Sequence, residues 1–388
     1  MSPSLIKEVT EIRRHLHQHP ELGYEETGTA QLIHERLTQL GIEHKTEVGK
    51  TGVVAFIPAT GEPNKTIALR ADMDALPIHE ETQLPYASQT PGKMHACGHD
   101  GHTAILLGTA KLLSETPHRK NNVLLLFQPA EEGGAGGKAL VDAGALRGEV
   151  VGTPADIIFG LHGHPDHRIG HVSTRPGAIM ASAAQFRVII KGKGAHAAYP
   201  HNGIDPIVIG SHIVTALQTV ASRNVDPLDS VVVTIGQFLA GVAHNVIPEK
   251  AELNGTLRTL NMATEQIAVK AIESIVQNTA LAFGGEATIT WTSNPYPVTF
   301  NDPDATDTFR RIATEAIGTD NVHHEPHPSM GGEDFSYYGY QIPACFFFLG
   351  LLPHGADSYP NLHAPNFDFN DDALETGIQL MTELALTA

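Results

Sequence analysis

Nine consecutive residues, Met94-His95-Ala96-Cys97-Gly98-His99-Asp100-Gly101-His102, hold three histidines, one thiol and one carboxylate. Imidazole, thiolate and carboxylate together suit a borderline divalent cation such as zinc. Cys97 and His99 are two positions apart, so in an extended stretch both side chains point to the same face. Such a pair can serve one metal or two neighbouring ones. A helix starting near Gly101 would then carry His102 away from the cluster. Taken alone, the segment reads equally well as a polar helix entry with Asp100 as its cap.

Other segments repeat the pattern of a buried strand ending in donor groups. The apolar run 123–127 leads through Gln128, Pro129 and Ala130 into Glu131 and Glu132, followed by glycines. In α/β sheets, ligands sit at the carboxyl ends of strands. Adjacent carboxylates point in different directions, so one can bind a metal while the other stays free as a base. The run 156–161 ends at His162, with His164 close behind and less well placed. His363 lies in a loop pinned by Pro360 and Pro365. Residues 66–72 end at Asp72, with Asp74 just beyond. These two share a face and could accept imidazole N–H groups, which fixes ring orientation in metal sites. The rival reading makes each acid a cap or a turn former, and the Glu-Glu pair a solvated loop.

The elements that would position these groups alternate in type. Short apolar runs at 52–57, 66–70, 123–127 and 156–161 suit buried strands, and helical patterns at 30–40 and 101–113 lie between them. That order predicts an α/β domain with a mostly parallel central sheet. From about residue 183 the texture changes. Half-exposed strands at 186–191, 230–237, 251–259 and 286–291 enclose helices at 205–221 and 264–283. This is the β-α-β-β-α-β order of a ferredoxin-like domain. The expected organisation is a catalytic domain of residues 1–182 and 293–388 interrupted by an inserted domain of residues 183–292.

Composition narrows the class. The 388 residues are 41% hydrophobic and 18% charged, which is a folding sequence and not a disordered one. Lys+Arg 25 against Asp+Glu 43 gives a net charge of −18, which argues against nucleic acid or an anionic membrane as partner. Two cysteines cannot build a disulfide framework. With 23 histidines, they favour a nitrogen-and-oxygen metal site in a reducing compartment. Residues 1–18 have no apolar core of a signal peptide, and the most apolar run, 344–352, is too short for a membrane span. A soluble cytoplasmic protein is the expectation.

Together these segments resemble the amidohydrolase branch of the aminoacylase and carboxypeptidase metallopeptidase clan. That branch includes hippurate hydrolases, N-acyl-amino-acid deacylases and plant indole-acetyl-amino-acid hydrolases. The matching stretches are HQHPELGYEE (17–26), GKTGVVA (49–55), LRADMDALP (69–77), MHACGHDGHTA (94–104), FQPAEEGGAGG (127–137) and GLH (160–162). They continue with GKGAHAAYPHNGIDP (192–206), NVIPEKAELNGTLRT (245–259), GGEDFSYY (331–338) and NLHAPNF (361–367). Carboxypeptidase-like relatives carry His-x-Asp where this chain reads Asp72-Met73-Asp74, so its metal set leans on the Cys97/His99 segment.

The resemblance implies two divalent metal ions per subunit, bound by Cys97, His99, Glu132, His162 and His363, with Glu131 as general base. Zn²⁺ is the expected ion, with Mn²⁺, Co²⁺ and Ni²⁺ tolerated by the mixed donor set. It implies that the inserted domain is a lid that forms a homodimer or higher oligomer, with His196 reaching substrate across the dimer. Asn245 and Arg258 match positions that hold the substrate carboxylate, a task suited to a planar guanidinium. The expected reaction is hydrolysis of an N-acyl-L-amino acid to a carboxylic acid and a free amino acid. A dipeptidase or carboxypeptidase on the same scaffold is the nearest alternative, and a non-catalytic metal-binding protein a remote one.

Overall fold

The computed structural model describes residues 1–388. Two helices come first, α1 (Pro3–Gln18) and α2 (Thr27–Gln39). Ser2 caps α1 through its hydroxyl, and Leu5, Val9, Ile12 and Leu16 bury one face at helical spacing. Strands β1 (Glu43–Val48), β2 (Gly52–Ile57) and β3 (Thr66–Asp72) precede α3 (His99–Glu115). Then follow β4 (Asn122–Gln128), α4 (Gly136–Asp142), β5 (Ile157–Arg168) and β6 (Val172–Thr174). The next elements are β7 (Ala184–Lys191), α5 (Pro206–Thr219), β8 (Val231–Ala240), β9 (Lys250–Thr259), α6 (Met262–Ala282) and β10 (Glu286–Trp291). The chain closes with α7 (Pro303–Ile317), β11 (Val322–His324), β12 (Ala344–Leu352) and α8 (Leu374–Thr387). No helix is long and apolar enough to cross a membrane.

Two compact units result. The larger comprises Met1–Ile179, Phe300–His327 and Asp334–Ala388, and the smaller Met180–Thr299 with Pro328–Glu333. The segment from Pro328 to Glu333 falls outside the range 183–292 read from the sequence. It joins the smaller unit because Ala181 donates its N–H to the carbonyls of Ser329 and Gly331, both at 3.0 Å.

In the larger unit an eight-stranded sheet runs β1-β2-β4-β3-β5-β12-β6-β11. Its centre, β4-β3-β5-β12, is parallel, and antiparallel pairings occur towards both edges. Parallel strands are stable when both faces are covered. Accordingly β2, β3, β4 and β12 are buried along their whole length. Helices α1, α3 and α8 pack into the same core, which includes Leu5, Val9, Leu69, Leu125, Phe159, Phe347 and Ile378. Gly108 allows the close approach, since a Cβ there would lie 2.7 Å from the Ile378 side chain. The parallel centre brings the carboxyl ends of β3 and β4 side by side, and Asp72 pairs with Gln128 in register.

The smaller unit is an antiparallel sheet of order β8-β9-β7-β10, with the β-α-β-β-α-β connectivity expected. Alternate residues of β7 (Ala184, Phe186, Val188, Ile190) pack on Ile209, Ile213 and Leu217 of α5 and on Ala268, Ile272 and Val276 of α6. Strand β8 is an edge and is exposed along most of its length.

Candidate metal centre

Two boundaries differ from the sequence reading and decide how the donors meet. Helix α3 begins at His99 and not near Gly101, with Gly98 before it in the left-handed conformation (φ 91°). That turn, which only glycine adopts freely, ends the extended stretch between Cys97 and His99. Strand β5 does not end at residue 161 but runs on to Arg168, so His162 sits within it. Cys97 Sγ lies 3.3 Å from His162 Nε2. The donor atoms of Cys97, His99 and His162 all fall within 4.8 Å of one another, as do those of Cys97, Glu132 and His363, and of His99, Glu131 and Glu132. All five expected donors and the expected base are therefore gathered in overlapping sets.

Hydrogen bonds at each ring decide which nitrogen remains for a metal. His99 Nδ1 bonds to the Asp74 carbonyl at 2.9 Å and to Asp74 Oδ1 at 3.2 Å, while its buried Nε2 has no hydrogen-bond partner. His162 Nδ1 donates to the Gly163 carbonyl at 2.8 Å, which leaves Nε2 facing Cys97. His102 was expected to leave the cluster, yet its ring lies 5.5 Å from that of His99 and 4.8 Å from that of His162. Positions three apart on a helix share a face, which is why it stays. Its Nδ1 meets Asp72 Oδ1 at 2.6 Å and its Nε2 accepts the Gly163 N–H at 2.9 Å. Both nitrogens are committed, so His102 buttresses the site without a lone pair to offer. His164 points elsewhere and stacks on His167 at 4.3 Å.

The Glu-Glu pair is held by residues far away in sequence. Asp74 Oδ1 accepts the Glu131 N–H at 3.0 Å and Asp74 Oδ2 accepts the Glu132 N–H at 2.9 Å. One carboxylate thus fixes the backbone of Glu131 and Glu132 and the ring of His99 together. Ala130, just before the pair, has φ 49°, an uncommon value for a residue with a side chain. Its N–H is anchored at 2.8 Å by Glu26 Oε1, whose other oxygen accepts the Thr51 hydroxyl at 2.5 Å. Tyr24 donates to the Gly134 carbonyl at 2.8 Å. His363 also has positive φ (64°), and its N–H bonds the Ala96 carbonyl at 2.7 Å. Such strain concentrates at functional sites. Sequence reasoning assigned no task to Tyr24 or Glu26. Their only signal was their place in the 17–26 motif.

A deeper layer lies behind the start of α3. His17 Nδ1 meets Asp100 Oδ2 at 2.8 Å and its Nε2 meets Glu80 Oε1 at 3.3 Å. Arg13, fully buried, pairs with Asp368 and Asp371 at 2.7 and 2.5 Å. Burial disfavours charge on His17, but the bonds to Asp100 and Glu80 outweigh it, and its pKa rises to about 9.

Electrostatics at the centre favour a cation. Burial, and then the negative charges of Glu132, Glu131 and Asp72, push the Cys97 thiol well above its ordinary range. A thiolate there requires a compensating positive charge. Burial holds His162 neutral, the form that binds metal. Burial also opposes charge on His99, yet Asp72 and Asp74 prevail and raise it to about 10. Glu132 is lowered despite burial, chiefly by His363 at 3.1 Å and by His99. With an unpartnered imidazole nitrogen, a thiol and paired acids converging, the residues fit divalent metal ions.

The remaining expected residues belong to the smaller unit. His196 and Asn245 are exposed and joined by a short ladder in which His196 pairs with Val246 and Ala197 donates to the Asn245 carbonyl at 3.0 Å. Arg258 lies on β9, and its Nη1 is buried without a hydrogen-bond partner. Burial lowers its pKa.

Comparison with known proteins agrees with this picture. The N-acetyl-L-cysteine deacetylase of Bacillus subtilis is 43% identical, covering 96% of this chain and 86% of that protein. The IAA-amino acid hydrolase ILR1-like 4 of Arabidopsis thaliana is 40% identical, covering 96% and 84%. Among solved structures, the YXEP protein of Bacillus subtilis, described as a dinuclear metal binding peptidase, superposes with TM-score 0.82 at 36% identity, covering 99% of this chain and 98% of that one. The model of peptidase family M20/M25/M40 matches residues 68–387. The chain belongs to peptidase family M20/M25/M40.

Proposed function

We propose that this protein is a metal-dependent amidohydrolase that cleaves N-acyl-L-amino acids to a carboxylic acid and a free amino acid. The observation that carries the reading is Glu131, a buried carboxylate within 4.8 Å of His99 and Glu132 donor atoms, whose backbone N–H is held by the same Asp74 that bonds the Glu132 N–H and the His99 ring. A metal-buffering protein has no use for a carboxylate so placed.

In this reading Cys97, His99, Glu132, His162 and His363 would hold two divalent cations, Zn²⁺ by preference, which would supply Lewis acidity towards the scissile carbonyl and lower the pKa of water. Glu131 takes a proton from the attacking water and delivers it to the leaving amino group as the C–N bond breaks. Arg258 and Asn245 anchor the α-carboxylate of the amino-acid half, and the unpartnered Arg258 Nη1 supports that assignment. His196 assists at the substrate of a second copy.

The smaller unit is the dimerisation element. In support, the edge strand β8 exposes Val232, Phe238 and Leu239, and α5 exposes Ile207 and Val208. Unprotected apolar edges of this kind are templates for pairing. Light scattering is expected to give a dimer, and a fully active monomer would overturn this part.

The principal test is Glu131→Gln. It is expected to retain both metal ions while turnover of benzoyl-glycine and N-acetyl amino acids falls at least 10²-fold, the lower end for losing a general base. Wild-type turnover would remove the role, and loss of metal would make Glu131 a ligand instead. Faster hydrolysis of free dipeptides than of any acyl amino acid would move the substrate class to dipeptidase.

A further inference from the structure

A second set of buried polar groups lies behind the base, and the reaction as described does not use it. Asp334, fully buried, donates its backbone N–H to Glu131 Oε1 at 3.3 Å. Its side chain is clamped from several sides. Oδ1 accepts from Gln128 Nε2 at 2.7 Å and from Arg70 Nη2 at 3.1 Å, and Oδ2 accepts the Gly137 N–H at 2.8 Å. Arg70, also fully buried, bonds Gln128 Oε1 through Nε at 2.8 Å and Asp72 Oδ2 through Nη1 at 2.7 Å. Tyr338 closes the frame by donating to Gln128 Oε1 at 3.0 Å.

A buried guanidinium between two carboxylates is costly to assemble unless every partner is in place. Here the partners are in place, and the two carboxylates lead in different directions. Asp72 leads to His102, and Asp334 leads to Glu131. Side-chain packing gives the loop little freedom, because a Cβ on Gly137 would come within 2.6 Å of the Asp334 carbonyl. The backbone N–H that meets Glu131 is therefore fixed by the side chain of its own residue.

We infer that Asp334 is a positioning residue for the general base, with Arg70 tying its carboxylate to Asp72 so that base and metal-side histidines share one rigid frame. The inference rests on the reading of Glu131 as the base. An N–H at Oε1 restricts rotation of the Glu131 carboxylate. Misplacement of a reacting group by about 1 Å can cost about 10²-fold in rate.

The test is Asp334→Asn, which keeps the volume and removes the charge that Arg70 and Gly137 clamp. Metal content and KM should match wild type while kcat falls by roughly 10- to 100-fold. In a Glu131→Gln background the same change should have little further effect on the residual rate, because it acts through the group already removed. Gly137→Ala displaces the same loop without removing any charge and should lower kcat in the same direction. Unchanged kcat in Asp334→Asn beside an inactive Glu131→Gln would overturn this inference and leave the base intact. A full additional loss in the Glu131→Gln background, or loss of metal, would make Asp334 a structural residue only. An active Glu131→Gln would instead overturn the reading beneath it. If Asp334→Asn fails to fold, Gly137→Ala decides alone: kcat unchanged at wild-type metal content overturns the proposal.

Discussion

The metal-donor cluster and the residues proposed to anchor substrate are built on opposite principles. Around the cluster, Asp74 serves Glu131, Glu132 and His99 at once, and His102 has both nitrogens committed. In the smaller unit, His196 and Asn245 are exposed, and Arg258 keeps an Nη1 without a partner. In the cluster the donors are already oriented, with His99 Nε2 left open for a metal, whereas in the smaller unit the groups themselves stand exposed or unpartnered. Chemistry that repeats on every substrate benefits from preorganised groups. Recognition that varies among relatives is better placed on groups that a ligand completes.

The sharpest way to break the contrast is His99→Ala, which removes a buried, unpartnered imidazole nitrogen among the expected donors. Metal analysis should show lost occupancy, and turnover should fall below detection. Retained activity would mean that the donors are not where the reading puts them. Asp74→Ala tests the preorganisation itself. It touches no expected metal, yet metal affinity or activity should drop about 10- to 100-fold, as for other residues that orient ligands. Isothermal titration with Zn²⁺ would measure it. Arg258→Ala probes the unfinished region. KM should rise roughly tenfold or more, the worth of one charge-assisted hydrogen bond, while metal content stays at wild-type level. A kcat loss with unchanged KM would place Arg258 in the chemistry and erase the distinction.

The smallest effect on turnover comes from His17, which supports α3 from behind. Its pKa is raised to about 9, so its stabilising contribution is complete below its ordinary value of 6.5 and is lost as pH rises through about 9. At 1.36 kcal/mol per pKa unit, the full contribution is about 3 kcal/mol. The thermal midpoint should fall between pH 6.5 and 9, and His17→Gln should flatten that slope. An identical slope in the variant would show that the Asp100 and Glu80 bonds do not set the stability of this corner.

Much of the architecture was legible because burial demands a recognisable pattern. The continuous apolar runs that became β2, β3 and β4, and the alternation in β7, announced a sheet covered on both faces and a half-covered antiparallel one. The donors were legible because thiol, imidazole and paired acids at strand ends are a rare combination. Less legible was anything set by three-dimensional hydrogen bonding. His102 looked destined to leave, because the first turn of α3 was placed two residues late. Glu26, Tyr24 and Asp334 lie far from the donors in sequence, and single acids or tyrosines carry no periodicity. Their tasks emerge only from the folded hydrogen bonds: Ala130 N–H to Glu26, the Tyr24 hydroxyl to the Gly134 carbonyl, and Asp334 N–H to Glu131 Oε1.

The ion pairs of Arg13 have a consequence for how the chain is made. Arg13 bonds Asp368 and Asp371, 355 and 358 positions away, and the donor His363 belongs to the same late stretch. Few contacts in a protein of this length span more sequence, and long-range closures are slow to form. During synthesis the smaller unit, nearly continuous from Met180 to Thr299, is able to fold while the centre still waits for its last donor. A chain stalled shortly before residue 360 would therefore carry a folded smaller unit and an open, thiol-bearing donor cluster that still lacks His363.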